Sequence, residues 1–212
     1  MSASSTNTIT GRVPEVAELA DRLAIQDILA LHCRGVDRAD EAALKTAYWP
    51  DAQVAYGGFN GSAHQFCEIL PTSIKHFAKT QHSISNVLIQ FSADGERAAV
   101  ETYVTAYHYI EASNSETNED SEMTFLGRYL DQFERREHHW KIHHRKVLMD
   151  WNQNTAASAK HQGPPFAGLA RGARAPADPI YALLADITGT NSIGTSSIST
   201  SSISTNSSGE TK

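Results

Sequence analysis

Two cysteines in 212 residues, Cys33 and Cys67, are too few for a disulfide framework. No apolar run approaches the ~20 residues that a membrane helix requires. A basic surplus is also missing: 18 Lys+Arg stand against 24 Asp+Glu, for a formal net charge of −6, without the basic patch of a nucleic-acid binder. There is no Walker loop, no GxGxxG turn and no GxSxG elbow, so phosphoryl transfer, nicotinamide chemistry and serine hydrolysis lose support. The opening MSASSTNTITGRVPEVAEL lacks the basic start and apolar stretch of a signal peptide, which makes a reducing cytoplasm the expected location. What is present, 40% hydrophobic residues in a chain of this length, suits one domain and a tail.

Residues 1–13 are small and polar and read as a flexible arm before Pro14. Val16, Ala20, Leu23, Ile28 and Leu31 then recur at helical spacing, with Glu18, Asp21, Arg22, Gln26 and Asp27 between them. This amphipathic helix is expected to end near Gly35. ADEAALKTAYW predicts a second helix, capped by Asp37 or Asp40 and closed by Pro50. After the extended piece DAQVAY, the pairs Gly57-Gly58 and Asn60-Gly61 mark a turn. Ser62 with Gln65 forms a capping box for a third helix, which Pro71 is expected to kink or interrupt.

The remainder of the core reads as strands. HSISNVLIQF alternates, Asp94-Gly95 signals a hairpin, and RAAVETYVTAYHYIEA alternates again. NSETNED is a polar loop between these and MTFLGRYLDQFERR; REHH is a turn before the last strand, WKIHHRKVLMDW. Helices first and a meandering sheet afterwards argue for α+β, with the helices packed on one face of a curved, mainly antiparallel sheet. Residues 14–152 therefore form the domain, and 153–188 an Ala/Gly/Pro-rich extension with a short helix at DPIYALLADI. Residues 189–212, low-complexity Ser/Thr, are expected to be disordered.

LADRLAIQDILALHCRGVDRAD, TQHSISNVLI, ETYVTAYH, GRYLDQFERR and WKIHHRKVLMDW together resemble the SnoaL-like branch of the nuclear transport factor 2-like superfamily over roughly residues 15–151. The resemblance implies a cone-shaped α+β barrel, three N-terminal helices closing a strongly bent sheet around a pocket. It does not by itself choose a function, because the superfamily includes dehydratases, isomerases, cyclases and plain binding proteins. In its dehydratases and dehydrohalogenases an Asp after the first helix pairs with a His at the start of a strand. Asp37 in RGVD and His82 in TQHSISN match those positions. A carboxylate bonded to one imidazole nitrogen fixes the tautomer and raises the basicity of the other. Read without the resemblance, Asp37 is a helix cap and His82 a polar residue at a strand end.

Four further groups are candidates for holding substrate. Strand parity puts Asn86 on the face of His82, where it would bind a substrate oxygen. His32 falls on the apolar stripe of the first helix, as a core histidine or, by resemblance, at a position where relatives carry a substrate-contacting Tyr or Lys. Tyr56 lies at the expected mouth of the cone, as a hydrogen-bond donor or a turn-packing side chain. Trp49 is core by base rate or part of an aromatic pocket wall. Alternation leaves Tyr103, Tyr107 and His108 unassigned. His138, His139, His143 and His144 invite a metal, but a turn and alternating strand faces scatter them. No metal is expected, while His144 or Arg145 is expected to reach the cone interior.

The resulting expectation is a cofactor-independent lyase that removes a leaving group, water foremost, from a hydroxylated aromatic or polycyclic substrate. A specific version acts on a lignin-derived diaryl compound, with dehydroxylation followed by loss of formaldehyde. The alternatives are a ketone or steroid-type isomerase using the same pair, and a non-catalytic protein that binds a small ligand. By resemblance the chain forms a homodimer or homotrimer; no nucleic acid, membrane or cofactor is expected.

Overall fold

The computed structural model describes residues 11–160, 163, 164 and 166–190. Most of the expected arm, and the Ser/Thr-rich tail beyond 190, lie outside the described residues. Helix α1 spans Val16–Arg38 and buries Ile25, Leu29, His32, Cys33 and Val36 along one face. It ends at Arg38, three residues past Gly35. A Cβ there would sit 2.8 Å from Leu44 Cγ, so the glycine serves the close approach of α2 (Glu41–Ala47) rather than helix termination. The stop comes at Ala39, in the left-handed region at φ 51°. Asp40, not Asp37, caps α2 by accepting from the Ala43 N–H at 2.9 Å.

Strand β1 (Tyr48–Tyr56) begins directly after α2 and contains Pro50, at a stretch where its register with a neighbouring strand shifts. Pro50 thus lies in a strand instead of closing a helix. Gly57 and Gly58 turn the chain into β2 (Phe59–Ser62), and Asn60 and Gly61 pair within that hairpin instead of forming a turn. Ser62 caps α3 (Ala63–Ser73) from its Oγ to the Gln65 N–H, and the helix runs through Pro71 before tightening into a 3₁₀ turn at Ile74–His76. Strands β3 (Lys79–Phe91), β4 (Arg97–Ile110), β5 (Ser121–Arg136) and β6 (His139–Ala156) follow.

The sheet order is β2-β1-β6-β5-β4-β3, antiparallel except for the parallel β1/β6 pair. It is mixed and open, with β2 and β3 as its edges. Four strand steps would separate β1 from β3 by roughly 19 Å in a flat sheet. Yet Tyr56 of β1 and His82 of β3 line one cavity, so the sheet curls around the helices on its inner face. Ile25, Leu29, Leu44, Val54, Phe66, Phe133 and Ile142 pack the core between them. The described residues divide into two compact units after Asp178, the second containing helix α4 (Pro179–Thr188). No helix among the described residues is long and apolar enough to cross a membrane.

Candidate active site

The last turn of α1 carries Asp37 to the start of β3, where His82 stands. Asp37 Oδ1 lies 2.8 Å from His82 Nδ1, and Oδ2 accepts the His82 backbone N–H at 2.8 Å. The two side chains are 8% and 3% exposed, respectively. Burial by itself pushes the Asp37 carboxyl upward, but hydrogen bonds from the His82 ring, the His82 backbone and the Thr80 hydroxyl outweigh it and hold the group below its ordinary value. An ionised Asp37 only accepts, so His82 Nδ1 carries the proton and Nε2 is the free basic nitrogen.

His82 lines a cavity of about 260 Å³. Its walls are Val36, Leu70, Ile74, Phe77, Ala106, Met123 and Phe125, with Tyr56, Ser73, His82 and His108 as the polar members. Tyr56 stacks on Phe66 at 5.0 Å between centroids, and Tyr129 hydrogen-bonds to it. His108 is a site residue that sequence reasoning left unassigned. Even-numbered residues of β4 point inward, as the burial of Val100, Val104, Ala106 and His108 shows. The signal was present in the small apolar residues two apart, but nothing in the sequence says which face of a sheet is concave. The His108 ring meets that of His82 edge-on at 5.6 Å. Burial, and then the charge of His82, lowers its pKa to about 4, so it is neutral near pH 7. Its Nδ1 is buried without a hydrogen-bond partner among the described residues.

Inward of Tyr56 lies a polar layer. His32 is fully buried, its Nδ1 3.3 Å from the Tyr48 hydroxyl, its ring edge-on to Tyr48 and Tyr129. Burial and then the positive charge of Arg145 hold it well below the usual histidine range. His32 does not line the cavity; it supports the layer beneath it. Arg145 donates to both oxygens of Asp131 at 2.7 Å and stacks on Tyr129 with 4.0 Å from its guanidinium carbon to the ring centre. Both side chains of this ion pair are fully buried.

Three sequence candidates fall elsewhere. Asn86 occupies a β-bulge at φ 46°, between the Ser85 and Val87 pairings with β4. The extra residue reverses parity: His82 and Ile84 face inward before it, Val87 and Ile89 after it, and Asn86 is left exposed. His144 lines a groove on the outer sheet face with Leu88, Leu130 and Lys146, because an irregularity between the Gln132 and Phe133 pairings of β5 puts Arg145 inward in its place. Trp49 donates from Nε1 to the Glu134 carbonyl at 3.0 Å and lies under Arg136 and Lys141, away from the cavity. Among the described residues, no group of three or more His, Cys, Asp or Glu side chains is placed to hold a metal.

Residues 17–146 match the model of the SnoaL-like domain. No protein of curated function matches the chain. Among solved structures, a type 2 hexachlorocyclohexane dehydrochlorinase (LinA) is 22% identical with a TM-score of 0.59, covering 74% of this chain and 100% of that one. The LinA-type3 dehydrochlorinase from Novosphingobium barchaimii LL02 is 21% identical with a TM-score of 0.59, covering 72% and 100%. The Kfla4162 protein from Kribbella flavida is 15% identical with a TM-score of 0.58, covering 64% and 95%. At these identities the structures share the fold with this chain, whereas the domain match extends over most of its length. The chain belongs to the SnoaL-like family.

Proposed function

We propose that the protein is a cofactor-independent lyase that eliminates water from a compact hydroxylated aromatic substrate by acid-base catalysis. The observation that carries this reading is the direct Asp37–His82 contact at the wall of an apolar cavity. His82 Nε2 takes a proton from the carbon next to the one bearing the hydroxyl. The electron pair forms the new double bond, and the C–O bond breaks. The departing hydroxide takes a proton from the imidazolium, directly or through Tyr56, and leaves as water. Asp37 stabilises the imidazolium in between. Neutral His108, edge-on to His82, is placed to hydrogen-bond the leaving oxygen or a carbonyl. The apolar walls exclude water and strengthen each of these bonds.

The cavity, about 260 Å³, is smaller than the ~300–1,000 Å³ of sites for drug-sized ligands. This supports a one- or two-ring substrate over a steroid. In the diaryl version, a phenolic substrate that gives up its phenolic proton to His82 and its benzylic hydroxyl as water would form a quinone methide. Removing the O–H proton of a neighbouring hydroxymethyl group would then break its C–C bond, release formaldehyde and return the electron pair to the ring as a phenolate. The same reading takes the chain as a cytoplasmic homodimer or homotrimer. The test is a panel of hydroxylated aromatic compounds, followed by absorbance and product mass without added cofactor, for wild type, His82→Ala and Asp37→Asn. Products lighter by one water, lost in both variants, support elimination. Products of unchanged mass point to an isomerase, and tight binding without product points to a ligand-binding protein.

A further inference from the structure

We propose that Arg174, outside the span that matches the SnoaL-like domain, is a positioning residue for the Asp37–His82 pair. The inference rests on the reading of that pair as the reacting groups. Arg174 Nη1 donates to the Asp37 carbonyl at 2.5 Å and to Thr80 Oγ1 at 2.8 Å. Its Nη2 donates to the carbonyls of Phe77 at 2.8 Å and Ile74 at 3.4 Å. One guanidinium therefore ties together the end of α1, the start of β3 and the turn between α3 and β3. These segments supply both members of the pair and two cavity walls.

The Thr80 hydroxyl makes the link directional. A guanidinium has only donors, and a hydroxyl has a single proton to give. Accepting from Arg174 leaves that proton free to turn toward the Asp37 carboxylate, which Thr80 helps to hold below its ordinary value. Arg174 thus acts on the carboxylate through one intervening side chain, and through the main chain of Asp37 as well.

The segment that delivers Arg174 is itself fastened. The last four carbonyls of a helix have no partner inside it. In α1, Gly35 and Val36 accept from Asp40 and Ala39, Asp37 from Arg174, and Arg38 from the Ala175 N–H at 2.6 Å. Arg38 in turn reaches the Ala173 carbonyl at 3.1 Å and the buried Asp178 carboxylate at 3.1 Å. At Gly172, a Cβ would lie 2.9 Å from Arg38 Nη1, so the main chain passes close over that side chain.

The experiment reads the low-field His82 Nδ1 proton by NMR in the full chain, assigned by its loss in His82→Gln, with no substrate needed. Wild type is expected to show a slowly exchanging resonance. Arg174→Ala and Thr80→Val are expected to broaden it beyond detection, and Arg174→Lys, which keeps the charge but only one donor nitrogen, to restore it in part. On any substrate found, both disabling variants are expected to lose tenfold or more in kcat with KM within twofold. An unchanged resonance in folded Arg174→Ala and Thr80→Val, accompanied only by a lower Tm, would overturn the proposal and leave Arg174 a structural cap of α1. If Arg174→Ala does not fold, Thr80→Val and Arg174→Lys decide the question. Because the resonance is independent of turnover, a wrong substrate class fails the proposed reaction without touching this inference.

Discussion

A carboxylate that is 8% exposed is expensive to keep ionised, and Asp37 manages it by spending both oxygens on hydrogen bonds. Asp37→Asn leaves the shape intact but removes the ionised acceptor. Turnover is expected to fall about 10²- to 10⁴-fold, with substrate affinity within a few-fold by titration calorimetry. Arg145 and Asp131 make the opposite case, an ion pair with no exposure at all. Arg145→Met strands a buried carboxylate and should cost about 3–5 kcal/mol in urea unfolding, while the double variant with Asp131→Leu recovers most of the loss. His108 and His32 are both held neutral by burial. For His108 the unfolded chain takes up a proton below about pH 6.5, whereas the folded one does so only near pH 4. Stability should therefore fall as pH drops through this window, by about 1.4 kcal/mol per pH unit for one proton. His108→Phe should flatten the fall, which thermal unfolding at pH 7, 5.5 and 4.5 would detect.

Elements were legible wherever a period held without interruption. The stripe of α1, the hairpin at Asp94-Gly95 and the alternation of β3 to β6 read directly from residue order, since burial on one face imposes the 3.6 and 2 periods. The errors sit at single residues that break a period. Asn86 is one: alternation through TQHSISNVLI assigns it to the pocket, but the bulge at φ 46° turns it to solvent. The left-handed region costs ordinary residues about 1–2 kcal/mol and glycine little. Asn86→Val is expected to lower stability by that amount and Asn86→Gly to be near neutral, measured as urea midpoints at constant slope. Gly127 of β5 lies opposite an irregularity in β6. A Cβ there would fall 2.0 Å from the Leu148 carbonyl oxygen, so Gly127→Ala requires the backbone to move and should destabilise by more than 1–3 kcal/mol, the usual cost of overpacking.

In the whole molecule, the outer sheet face carries exposed Leu88, Tyr103, Tyr107, Leu130 and Trp151. If subunits join there, sedimentation equilibrium should give a dimer or trimer for wild type and a smaller species for Trp151→Glu; a monomeric wild type would remove that part of the reading. The order of helices before strands, the amphipathic faces and the residue types of the Asp37–His82 pair were set by the sequence itself, because period and local chemistry act over a few residues. The pair was identified through resemblance to a family, since 45 positions separate its members and spacing alone does not say that they touch. Only the tertiary structure decided which face of β4 is concave, which admits His108 and sends Tyr103 and Tyr107 outward. It also decided that Arg145 enters the interior in place of His144. Lastly, it brought Arg174 back to the end of α1, 137 residues away in sequence. Those outcomes depend on how the sheet curls and where a bulge shifts its register, and long-range packing of this kind leaves no periodic trace along the chain.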